Sequence, residues 1–227
     1  MSRPFIPLLV AAFLILAAVP ARADFEDGLK AYKAEDFQSA YDIWLPMAEA
    51  GHARAQYGIG RIFENAIREN FERNDEEAGI PSIPVYENRS QKERMRLAKM
   101  WLIRAAEQGY TQAQYELGRI YRIFTPAHEE KRVSEVIPKA IYWLKRAARD
   151  GHTLAMDHLR QIYSIPQFKV YDELEAAKWG YLYFQRAYGF TFRQAYPVLF
   201  QNYFGELTLK QRREVEAWAE AWKPDFP

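Results

Sequence analysis

One stretch of this 227-residue chain, WLIRAAEQGYTQAQYELGRIY at residues 101–121, is repeated. Residues 44–63 read WLPMAEAGHARAQYGIGRIF, one residue shorter before the glycine, and residues 143–163 read WLKRAARDGHTLAMDHLRQIY without a gap. A weaker copy, YLYFQRAYGFTFRQAYPVLF, occupies residues 181–200. The registering glycines Gly51, Gly109, Gly151 and Gly189 are 58, 42 and 38 residues apart. A period of this size constrains the fold more than any local motif, because it means one supersecondary unit used again and again. A single such unit cannot bury its apolar face, so each must stack on the next.

The unit itself is legible. Before the glycine, Ala98, Trp101 and Ala105 recur at helical spacing; after it, Ala113, Leu117 and Tyr121 do the same. Both flanks are predicted helices. The glycine stands where the first helix stops and the chain reverses, a C-cap that favours positive φ and so a residue without Cβ. Small residues at Ala113 and Gly118 are expected to let two helices approach closely. Tryptophans 101 and 143 are predicted core positions.

The N-terminus MSRPFIPLLVAAFLILAAVPARADF carries an early arginine, an apolar run at residues 8–19, and Pro20 before Ala21-Arg22-Ala23. These are the parts of a secretory signal peptide, with cleavage expected after Ala23. Twelve apolar residues fall short of the ~20 that span a hydrocarbon core, so no integral membrane segment is expected after cleavage. The chain has no cysteine, which excludes disulfides, a thiol nucleophile and thiolate metal sites. Taking Arg3 and Arg22 from the 31 Lys and Arg leaves 29 against 30 acidic residues. So balanced a charge gives no electrostatic case for nucleic acid.

An alanine-rich helix ending in AAEQG, followed by AQYELGRIY, resembles the Sel1-like repeats, relatives of the tetratricopeptide repeats. The likeness is strongest over residues 96–121, good over 37–63 and 138–163, and weak over 173–204; DFEDGLKAYKAEDFQSAYDIW resembles the half-repeat that opens many exported members. The resemblance implies an all-α chain, an α-solenoid of stacked antiparallel helix pairs, acting as a non-enzymatic protein-interaction adaptor in a bacterial periplasm or envelope. Its alternative implication is a cell-wall-directed enzyme or binding protein acting on peptidoglycan or β-lactams. Those members have cysteine-paired hairpins, which this chain cannot form.

The expected organisation is a signal peptide at 1–23, a repeat array at 24–207 with an insertion at about 72–90, and a capping helix and tail at 208–227. Phe63, Ile67 and Phe71 continue a helical stripe, so the helix before the insertion should overrun by about two turns. NDEEAGIPSIPVYENR then reads as irregular, open either to a surface insertion or to a partner-contacting loop. Ser90 and Glu93 have capping-box spacing. In the fourth copy Pro197 should shorten or distort a helix. Thr208 with Gln211, then Val215, Trp218, Ala219 and Trp222 on one face, predict the terminal helix.

No catalytic constellation, cofactor motif or metal set emerges. None of the five serines after residue 23 lies in a nucleophile elbow. His52 and His152 hold equivalent repeat positions, which points to repetition. His152 and His158 are six apart, about 240° around a helix, too divergent for one metal. HEEKR at His128 lacks the second histidine of a zinc-protease helix, and GIG at Gly58 follows no strand. Most aromatics fall on core positions; Tyr86, in the insertion, looks free.

Binding surface should lie where equivalent positions vary. Aligning the post-glycine helices gives three columns expected to face outward: Arg54, Gln112, Leu154; Gly58, Glu116, His158; Arg61, Arg119, Gln161. Spacings of four and three put each set on one helix face, and stacked neighbours would tile them into a strip. Arg54, Arg61, Glu116, Arg119, His158, Gln161 and, separately, Tyr86 are the candidate contacts for an unidentified polypeptide partner in the envelope.

Overall fold

The computed structural model describes residues 24–73, 84–87, 89–123, 130–189, 204 and 206–223, with the side chains of 66–73 and 130–132 left aside. Residues 1–23, where a signal peptide is expected, residues 74–83, His128, Pro197 and the last four residues lie outside them. Every regular element among the described residues is an α-helix: α1 (Phe25–Lys33), α2 (Phe37–Glu49), α3 (Ala53–Arg73), α4 (Gln91–Glu107), α5 (Thr111–Ile123), α6 (Glu130–Arg149), α7 (Thr153–Tyr163), α8 (Glu173–Tyr188) and α9 (Leu209–Ala221). None is long and apolar enough to cross a membrane.

Helix ends follow the local chemistry. Gly51, Gly109, Gly151 and Gly189 all have positive φ, at 94°, 87°, 81° and 82°, as the C-cap expectation requires. At the first three the amide of the glycine bonds back three residues and the next amide five, satisfying carbonyls that the helix leaves orphaned. Starts are capped by side chains: Ser90 accepts from Glu93 N, Asp172 from Leu174 N and Glu175 N, and Thr208 forms a complete capping box with Gln211. The overrun of α3 reaches Arg73.

Each helix packs on the next in sequence, and α5 also touches α7. Helices pack across each glycine turn, α2 on α3, α4 on α5 and α6 on α7, as the repeat suggests, and more extensively still across the longer connections: α3 on α4, α5 on α6, α7 on α8. Glycines create it. A Cβ on Gly60 of α3 would lie 2.7 Å from Leu102 Cγ of α4, and one on Gly118 of α5 would lie 2.4 Å from Leu144 Cγ of α6. Gly118 therefore seats the following pair, not the helix across Gly109. In the third pair Arg160 stands at that place, and the small residue moves to the other helix as Gly180, where a Cβ would lie 2.9 Å from Arg160 Cδ.

Among the described residues the buried side chains fall into four clusters along this series. Trp44 is wedged between helices at Gly28 and Gly58, where a Cβ would sit 2.2 Å and 2.5 Å from the indole, and its Nε1 donates to Phe25 O at 3.1 Å. Trp101 and Trp143 are buried in the equivalent places. At the far end α9 buries Val215 and Ala219 and packs Trp218 edge-on to Trp179 of α8, at 5.2 Å between centroids.

Candidate functional site

The post-glycine helices bring most of the anticipated strip together, but as a network of mutual ion pairs, one contact of which, Arg61 Nε with Glu64 Oε2, is not a hydrogen bond. Arg61 Nη1 donates to Glu116 Oε1 at 2.6 Å, and Arg119 Nε to Glu116 Oε2 at 2.6 Å. Arg119 Nη2 donates to Glu64 Oε1 at 2.5 Å, and Arg61 Nε lies 3.2 Å from Glu64 Oε2. Two cations and two anions thus alternate in a closed ring joining α3 to α5, with the Glu64 side chain 2% and the Glu116 side chain 8% exposed. Burial works against the Arg61 charge, but Glu116, Tyr57, Tyr32 and Glu64 together more than compensate and hold the guanidinium firmly protonated. Burial also pushes the neighbouring Tyr57 hydroxyl up to about 12.

The central column does not face outward. Gly58 lies under Trp44 and Glu116 is buried in the ring, because each helix turns that position towards its neighbour. Farther along, His158 Nδ1 accepts from Arg122 at 3.2 Å and its other nitrogen lies 3.5 Å from Tyr115 Oη; Arg122 also donates to Gln161, which itself donates to Asp157 at 2.6 Å. Burial, with Arg122 adding to it, lowers the His158 pKa to about 4, so the ring is neutral at pH 7. Arg54 stands apart, stacked 4.0 Å over Phe25 and bonded to Glu26 at 2.9 Å.

His52 and His152 act as caps: their Nδ1 atoms accept from Ala55 N and Ala155 N at 3.2 and 3.3 Å. His152 also stacks on Tyr115 at 4.2 Å, and burial depresses its pKa. Among the described residues no group of three or more His, Asp or Glu side chains is placed to hold a metal ion. Glu64, Tyr115, Arg122 and Asp157 were not anticipated. Glu64 and Arg122 fall just past the repeat motif, in corresponding places after Phe63 and Tyr121, and that shared offset was the signal for them.

Tyr86 requires the plainest correction. It is not free but 4% exposed, and its hydroxyl donates to Ile62 O at 2.8 Å. Beside it Val85 is also buried, its amide bonded to Gln38 Oε1 of α2 at 2.8 Å. The insertion therefore turns part of itself into the core, Val85 and Tyr86 joining the cluster of α2, α3 and α4 side chains that includes Ile62 and Phe63 midway along α3.

The connection after α7 does the same: Phe168 is buried in the cluster that holds Ile162 and Tyr163, with Ile165 and Val170 packed beside it. Beside α4 and α5, with Ile120 and Tyr121 among its lining residues, a groove of about 1190 Å³ opens. Met95, Met100 and Ile103 of α4 and Val136 of α6 form its apolar walls. Among the described residues Lys92, Arg96, Lys99 and Arg104 line it with Glu93, which Arg96 approaches at 4.0 Å.

No family model and no curated protein matches this chain.

Proposed function

We propose that the chain is an α-solenoid of Sel1-like helix pairs, closed by α9, that serves as a non-enzymatic adaptor binding a polypeptide partner in the cell envelope. What supports this reading is a groove of about 1190 Å³ beside α4 and α5, with apolar walls and a cationic lining among the described residues. Its methionines suit an adaptable contact, since the unbranched thioether side chain repacks easily. Its cationic lining gives it a preference for acids. The strip around Arg61 and Arg119 supports binding less well, because those charges are already bound to Glu64 and Glu116.

Photo-crosslinking tests this reading. The chain, exported as its N-terminus implies, would carry a photoreactive residue at Arg96 in the groove or at Gln112 on the strip. A discrete protein adduct from Arg96, lost on charge reversal at Lys92, is the expected result. Absence of a protein adduct at both positions would count against an adaptor.

A further inference from the structure

The ion-pair ring joining α3 to α5 has a counterpart one repeat on. The glycine spacings of 58 and 42 carry Arg61 and Glu64 onto Arg119 and Arg122 of α5, and Glu116 and Arg119 onto His158 and Gln161 of α7. The positions correspond, but the chemistry does not. Where α5 offers the first ring a carboxylate and a guanidinium, α7 offers an imidazole and an amide, both uncharged near pH 7.

The protons of this second junction can be assigned, because two of its donors cannot accept. A guanidinium only donates, so His158 Nδ1 accepts from Arg122 at 3.2 Å, and the ring proton sits on Nε2, facing Tyr115 Oη at 3.5 Å. A backbone amide likewise only donates, so His152 Nδ1 accepts from Ala155 N at 3.3 Å, and its Nε2 donates to Gln112 Oε1 of α5 at 3.0 Å. The two rings flank Tyr115 of α5, one stacked at 4.2 Å and the other edge-on at 5.6 Å. Both histidines therefore bridge α7 to α5 in their neutral forms.

A second proton spoils each bridge. On His158 it meets the Arg122 guanidinium, whose Nε is buried without a hydrogen-bond partner. Asp157, the acid that acts on both groups, is already held by Arg160 at 2.7 Å and Gln161 at 2.6 Å, and Arg119 adds repulsion. On His152 the proton displaces the Ala155 amide, uncaps α7 and sets a positive charge at the helix end whose dipole disfavours it. From the other packed helices, Tyr183 of α8 faces Asp157 and Arg160, and Asp150, just after α6, accepts from Thr111 at 3.0 Å. Burial opposes the charged form of both rings, holding His158 at about 4 and depressing His152.

We infer that His152 and His158 form a latch between α5 and α7 that acid releases, freeing the start of α7 and widening the strip beside Tyr115. The inference concerns the chain's own helices and stands apart from the adaptor reading.

Hydrogen exchange of the full chain, followed peptide by peptide and corrected for the intrinsic pH dependence of exchange, tests it. Between pH 7 and pH 4.5, protection of α7 should fall at least about tenfold more than that of α4, whose Ser90 cap does not titrate. The double substitution His152→Asn, His158→Gln replaces each ring with a group that accepts without titrating, and should remove that excess. Because the chain has no cysteine, spin labels at Ile123→Cys of α5 and Leu154→Cys of α7, both about half exposed, give a second readout that leaves the histidines in place. Their distance distribution should lengthen and broaden at pH 4.5. Equal loss of protection in α4 and α7, an excess that survives the double substitution, or an unchanged label distance would each overturn the latch.

Discussion

Glu35 adopts the left-handed conformation, φ 61°, at the end of α1, where three later helices use glycine for the same backbone bonds. Left-handed backbone costs a residue with Cβ about 1–2 kcal/mol, and nothing within 4 Å would obstruct a Cβ at Gly51, Gly109 or Gly151. Backbone conformation alone therefore requires the glycines. Gly109→Ala should destabilise by about 1 kcal/mol and Glu35→Gly should stabilise by a few tenths to 1 kcal/mol, read as opposite shifts of a few degrees in melting temperature. Tyr86→Phe should cost about 1 kcal/mol in urea denaturation, the worth of one buried hydrogen bond. His158 gives a pH effect of definite sign. Its folded pKa of about 4 lies below the unfolded value near 6.5, so the unfolded chain binds more protons between them and stability falls as pH drops through that window. Against His158→Gln, the parent should lose an additional 1–2 kcal/mol or so between pH 7 and pH 4.5 in urea midpoints; parallel losses would show that the histidine does not titrate this way.

At the scale of the helix, the ring of Arg61, Glu64, Glu116 and Arg119 ties α3 to α5 directly. Removing one partner of a buried ion pair leaves the others uncompensated, typically at ~3–5 kcal/mol. Glu116→Ala should therefore cost several times more than Glu26→Ala, whose pair with Arg54 is about half exposed and worth well under ~1 kcal/mol. Comparable losses from chemical denaturation would contradict the ring's role. The same geometry changes what charge reversal at Arg61 or Arg119 would report, because such variants should unfold the junction. Helices, glycine turns, the long α3 and the terminal α9 were legible because period and capping are local properties. The ring was only half legible: Arg61, Glu116 and Arg119 stood out by column, whereas Glu64 sits one residue beyond the repeat and acquires its role only when α3 and α5 stack. Tyr86 was misread for the same kind of reason. Prolines and a glycine mark its segment as irregular, and irregular backbone says nothing about whether a side chain reaches the core.

Over the whole molecule, packing follows chain order, each helix meeting its sequence neighbours and α5 reaching α7. Trp101→Ala or Trp143→Ala should cost ~3–5 kcal/mol, a large part of a typical domain's stability, and a parent-like melting curve would remove these tryptophans from the core. The burial of Tyr86 and Phe168 could not be foreseen from sequence alone, because they come from connections unlike one another in length and composition. The spacing of the six tryptophans has an optical consequence. Trp44, Trp101, Trp143 and Trp179 fall on successive alternate helices, with Trp218 and Trp222 on the last, so variants retaining one indole at a time would give emission from one known depth in the stack. Comparing their transitions in denaturant would show whether the array melts as one body or loosens from an end, and which end goes first.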